Sequence, residues 1–206
     1  MSPRRHSTSG WASGVNAYAV VLLLGVFGAT GVSDDVPSAL QRPEVLVVAG
    51  VLYLCEAVAD KIPYVDSVWD SVHTVVRPVA GAWVGALLAG HSGSLNDVVA
   101  GLVGGSTALA SHAVKAGTRM AVNTSPEPFS NVIINFAEDL GVGGIVTFAM
   151  FHPGAAAAIA GALLVTGLVV LVFLVSRIRR FLRRRAERRA ERRLATRIGQ
   201  PPAGLP

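Results

Sequence analysis

The sequence predicts an all-α polytopic membrane bundle of about six spans, with two weak parallel helix-hairpin repeats. Three observations carry that reading. Of 206 residues, 51% are hydrophobic and only 15% charged, where a soluble domain holds about 25% charged residues. Mean hydropathy is +0.52, and uncharged runs are long enough to cross a bilayer core of about 30 Å. The few ionisable residues inside apolar segments recur at helical spacing, as one face of a helix requires.

The first span is expected over 14–31, GVNAYAVVLLLGVFGATG, which carries no charge. The basic start at Met1–Arg5 raises the alternative of a cleaved signal. No small-x-small cleavage site precedes Ser33, Asp34 and Asp35, so a retained helix is the expectation. The stretch Gly14–Tyr18 reads either as the start of a helix or as a break that turns backbone groups toward a site. The second span, 43–60, opens with Pro43 at a first helical position. It ends at Lys61, Ile62 and Pro63, because proline disfavours helix in the residue before it.

The third helix is expected over 65–90, kinked near Pro78 and Gly81. The fourth covers 95–121, where Gly101, Gly104, Gly105 and Ala108 offer small faces for close helix packing. Residues 140–176 are 37 without a formal charge, about 55 Å of helix and too long for one crossing. HisProGly at 152–154 divides them into a fifth span, 127–151, and a sixth, 154–176.

Charge sets the expected orientation. Residues 177–206 hold 11 Arg and two Glu, a net of +9, whereas residues 1–176 hold seven Lys or Arg and 11 Asp or Glu, a net of −4. Six spans put both termini on one side, and the arginines make that side cytoplasmic. The expected layout is a cytoplasmic segment at 1–13, a transmembrane domain at 14–176 and a cytoplasmic arginine-rich tail at 177–206, in the cell membrane. The bilayer is the expected partner, with anionic lipids gathered by the tail at about 1 kcal/mol per basic residue near the surface. A homo-oligomer is a further expectation. No nucleic-acid fold accompanies the arginines, so nucleic acid is not expected. Cys55 is the only cysteine, which excludes an internal disulfide or a cysteine metal cluster. No cofactor motif is present, and none is expected.

The candidate site is a set of polar stripes. Asp66, Asp70, His73 and Arg77 fall at i, i+4, i+7 and i+11; Glu127, Asn131, Asn135 and Glu138 fall at i, i+4, i+8 and i+11. Glu56 and Asp60 make an acidic face on the second span, and His112, Lys115 and Arg119 a basic face on the fourth. Asp139 adjoins Glu138. Ionisable groups in hydrocarbon are costly, so these fourteen residues are the candidate substrate or ion pathway. Those near span ends, Glu56, Asp60, Lys61, Lys115 and Arg119, read first as interfacial and structural ion pairs, whereas the deeper Arg77, Glu138 and Asp139 read first as functional. Asp66, Asp70 and His73 are weak candidates for a divalent ion, without any specific zinc signature. An offset of 61 lays Asp66 on Glu127, Asp70 on Asn131 and Arg77 on Glu138, which predicts that Arg77 pairs with Glu138 or Asp139 across a repeat interface.

The run EAVADKIPYVDSVWDSVHTVVRPVAG at 56–81 resembles the first signature of a bacterial family of multi-pass membrane proteins, the domain of unknown function 4126. KAGTRMAVNTSPEPFSN at 115–131, followed by Glu138, Asp139 and Leu140, resembles its second. AsnAlaTyr at 16–18 resembles the family's opening segment, with Ala17 where proline is expected. The resemblance covers about 10–176 and implies a small helical integral membrane protein, with no reaction and no catalytic residues attached to it. Three functions compete: permeation of a small solute or ion, a scaffold or assembly role without substrate, and an enzyme on lipid-linked phosphate. In the last, Lys115 and Arg119 would hold phosphate, and Asp66 and Asp70 a Mg²⁺. A non-enzymatic role is the stronger expectation because no phosphatase or transferase motif is present.

Overall fold

The computed structural model describes the backbone of residues 3–62, 65–90, 95–122 and 128–198, and side chains over 8–62, 65–90, 95–120, 133 and 136–187. Six helices follow in order: α1 Pro3–Ala29, α2 Pro43–Ala59, α3 Val65–Ala89, α4 Leu95–Val122, α5 Pro128–Phe151 and α6 Pro153–Ile198. Among the described residues there is no strand. Among the described residues, three helices are long and apolar enough to cross a membrane, over Thr8–Ala29, Val65–Ala89 and Pro153–Glu187. The protein is a helical membrane bundle.

Local chemistry explains the boundaries. Pro43 starts α2, where its missing N–H costs nothing. Gly90 follows α3 at φ +101, a left-handed stop that glycine adopts without a Cβ penalty. Pro153 separates α5 from α6, and the His152 N–H still bonds the Phe148 carbonyl at 2.8 Å.

Two boundaries differ from the sequence expectation. α1 begins at Pro3, and its backbone leaves helical geometry at Asn16 (φ −150, ψ 97). Thr8, Ser9 and Ser13, placed by the sequence outside the first span, are buried. They are small, and the α1 turn that bears them lies against the glycine face of α4: a Cβ on Gly10 would stand 2.6 Å from the Gly104 carbonyl oxygen. The expected kink at Pro78 is not marked by any non-helical residue, and α3 runs through it. α6 continues well past 176 into the arginines.

The chain divides into two compact units, Met1–Leu168 and Val169–Pro206. In the first, α3 packs most extensively on α4, and α1 lies against α4, α3, α5 and α2. Small residues permit the α3–α4 approach. A Cβ on Gly81 would meet the Gly104 carbonyl at 2.8 Å, and one on Gly85 the Ala100 carbonyl at 2.6 Å. Ala12, Val20, Leu24, Leu40, Val84, Leu88, Val142 and Val146 form the apolar core at that end. The second unit is the continuation of α6, with Val169, Val172 and Phe173 exposed and Arg185 lying 4.6 Å over the Phe181 ring.

Candidate functional site

The interruption of α1 is the first component of the site. A helix that stops and restarts leaves carbonyls without intrahelical partners. Asn16 caps the restart, its Oδ1 accepting the Ala19 N–H at 2.9 Å, while its Nδ2 donates to Asp139 Oδ1 at 3.1 Å. The freed carbonyls turn to cations of other helices. Arg77 Nη1 donates to the Gly14 oxygen at 3.3 Å, and Lys115 Nζ donates to the Val15 oxygen at 2.8 Å. Gly14 is required here, because any Cβ would overlap Ala108 and Ser111 of α4.

Around these carbonyls four helices contribute charge. Arg77 of α3 is fully buried and holds Glu56 of α2 at 2.6 Å and Asp70 at 3.6 Å. Lys115 of α4 reaches Glu138 of α5 at 3.3 Å, Glu56 at 3.5 Å and Asp60 at 3.7 Å. Arg119 grips Asp60 with both nitrogens, at 2.8 and 2.5 Å, and reaches Asp70 at 3.4 Å. That two-point geometry is the strong form of an Arg–carboxylate pair. The acidic face of α2 thus meets the basic face of α4, one helical turn per pair.

Both histidines relay hydrogen bonds. His112 Nδ1 lies 2.7 Å from Arg77 Nη1, which only donates, so Nδ1 carries no hydrogen and Nε2 carries it. Nε2 then donates to Thr74 Oγ1 at 3.1 Å, and Thr74 donates to the Asp70 carbonyl at 3.0 Å. His73 carries a hydrogen on Nδ1, which donates to the Trp69 carbonyl at 2.7 Å, and its Nε2 lies 2.9 Å from the Tyr18 hydroxyl. Trp69 stacks on the same ring with centroids 4.7 Å apart.

Residues 6–173 match the family described as domain of unknown function (DUF4126). The chain belongs to that family. No curated protein and no solved structure matches it.

In this DUF4126 chain the segment 56–81 supplies Glu56, Asp60, Asp70, His73 and Arg77, all buried, and 112–119 supplies His112, Lys115 and Arg119, also buried. The expected Arg77 pair with Glu138 or Asp139 is not formed. Arg77 takes Glu56 and Asp70, Lys115 takes Glu138, and Asp139 is held by Asn16. The physical reason is the entry of the α1 break into the interior, which places Asn16 beside Asp139. Asp66 is buried and accepts the Ser67 N–H at 2.6 Å. With both His73 nitrogens engaged, the trio Asp66, Asp70 and His73 is not a ligand set, and among the described residues no three such groups could hold a metal ion. Glu127 and the side chains of Asn131 and Asn135 lie outside the described residues.

Sequence reasoning did not single out Tyr18 or Thr74 for the site, and it quoted Asn16 only within the resemblance and the Gly14–Tyr18 stretch. Thr74 was legible: it sits one turn beyond Asp70.

Two clefts flank the charges. One of about 250 Å³ lies between α3 and α4, lined by Asp66, Asp70, Thr74 and Arg119 among others. The other, about 440 Å³, is walled by Trp11, Val114, Leu163 and Leu164 and has Lys115 and Glu138 among its lining residues. Asp60 links the two: it touches Arg119 of the first cleft and Lys115 of the second.

Proposed function

We propose that the protein carries a small positively charged ion or solute across the membrane through the buried cluster between the two clefts. The observation that carries this reading is a buried ion-pair network, Glu56, Asp60, Asp70 and Glu138 with Arg77, Lys115 and Arg119, that meets both clefts. Charge removed from water is costly, and carboxylates held beside open space give a cation a place to be stabilised. The six helices cross the membrane with both ends in the cytoplasm, and the arginines beyond Ser176 rest at anionic headgroups.

The test is flux. Purified protein in liposomes should pass cations faster than empty vesicles, and Glu138→Gln should lower that flux at least tenfold without loss of folded protein. Equal flux in loaded and empty vesicles sinks the reading.

An assembly role has one observation in its favour: the best apolar window of α6 is only 6% buried. A stable homo-oligomer in detergent that disperses when Val165, Val169 and Val172 are changed to polar residues would support it. The lipid-phosphate alternative is disfavoured because Lys115 and Arg119 already direct their nitrogens at carboxylates.

A further inference from the structure

Lys115 is surrounded in the way a bound cation is surrounded. Its ammonium has four oxygens from three helices, α1, α2 with its C-cap, and α5: the Val15 carbonyl at 2.8 Å, Glu56 at 3.5 Å, Asp60 at 3.7 Å and Glu138 at 3.3 Å. One of them is a backbone carbonyl freed by a broken helix, the type of ligand that membrane proteins offer to small cations. Only the Val15 contact is a close hydrogen bond; the carboxylates stand further off, forming a cage larger than the ammonium head needs. Glu56, itself 1% exposed, has a second carboxylate oxygen with no hydrogen-bond partner.

The charge at this place is also set. Three carboxylates surround Nζ, and two of them are already held by guanidinium groups, Glu56 by Arg77 and Asp60 by Arg119. The resting occupant carries a single positive charge, so a monovalent ion rather than a divalent one matches what the cage already balances. An approach exists as well, because Lys115 and Glu138 both line the 440 Å³ cleft. Glu138 is the most exposed carboxylate of the cage, with 20% of its side chain accessible.

We propose that the Val15 carbonyl, Glu56, Asp60 and Glu138 form a monovalent-cation site whose resting occupant is the ammonium of Lys115. A free cation of the ammonium or alkali class enters by the larger cleft and displaces the tethered one from Glu138. This deepens the cation reading above, and it is tested by binding in detergent, so that its outcome is separate from flux.

The experiment uses the full chain with Lys115→Ala and methylammonium chloride as the probe, tetramethylammonium chloride being the size control. Methylammonium should raise the unfolding midpoint of the variant saturably, by roughly 3–5 °C at tenfold above its dissociation constant. Tetramethylammonium should not, and wild type should respond to neither at those concentrations. Adding Glu138→Gln to Lys115→Ala removes the cleft-side carboxylate of the cage and should weaken methylammonium binding about tenfold or more. If Lys115→Ala aggregates, folded protein should be recovered only from buffer containing methylammonium. Equal responses to the two salts, or aggregation in both, overturn the site. Absence of flux alongside selective binding leaves the site standing and removes only the conduit.

Discussion

The α3–α4 contact is two interfaces in one helix pair. At one end Gly81 and Gly85 let the backbones approach until a methyl group would not fit beside Gly104 or Ala100. At the other end Asp70 and Arg77 meet His112 and Arg119, and a 250 Å³ cleft opens beside them. Small residues close a gap by dispersion, at little desolvation cost. Charged residues hold the same helices apart at the length of their side chains, and each is costly unless its partner stays in place. The glycine end fixes the pair, and the charged end leaves space within it.

The largest effect expected from disturbing this contrast is at Arg77. Arg77→Met strands Glu56 in a dry interior and should cost about 3–5 kcal/mol of unfolding free energy in detergent. A double-mutant cycle with Glu56→Gln should show coupling above about 1 kcal/mol, and one with Glu138→Gln within about 0.5 kcal/mol of zero. The reverse ranking would restore the pairing expected from the internal repeat and overturn the one described here.

Next comes the glycine end. Gly104→Val should cost about 1–3 kcal/mol through overpacking, and it should leave the Arg77–Glu56 coupling unchanged. If the coupling falls with it, the two ends are one cooperative interface and the contrast fails. Between these lies Asp60→Asn, which frees one guanidinium of its two-point partner. It should destabilise by about 2 kcal/mol or more, with little dependence on salt, because buried pairs are weakly screened. A loss that vanishes at high ionic strength would place Asp60 at a wet surface.

The smallest effect is Thr74→Val, which removes the acceptor of the His112 Nε2 hydrogen and should cost about 1 kcal/mol. Nitrogen chemical shifts should still report His112 with its hydrogen on Nε2, because Arg77 fixes Nδ1. A ring that changes tautomer would show that Thr74, not Arg77, sets its state.

The sequence displays the charged end more fully than its wiring. Asp66, Asp70, His73 and Arg77 have one-face spacing, and all four are buried on α3. Helical period alone determines that outcome. The acidic face at Glu56 and Asp60 and the basic face at Lys115 and Arg119 are visible the same way. Partner choice is not, since it depends on which helix intrudes between them. Laying the two hairpins on one another gave Arg77 to Glu138, whereas the α1 interruption occupies that place with Asn16 and two carbonyls. The local cue for the interruption, a glycine and an asparagine two residues apart, is weak in any single chain. The buried turn at Thr8–Ser13 was hidden for another reason: hydropathy rewards large apolar side chains, and this turn packs by being small.

Cys55 adjoins Glu56 in the chain yet is exposed. Consecutive helical residues point about 100° apart, so the thiol looks outward from the same turn whose next residue looks in. It is also the only sulfhydryl in the sequence. A fluorophore or spin label placed there would observe the turn that carries Glu56 without touching an ionic group, and the natural chain would need no engineering to accept it.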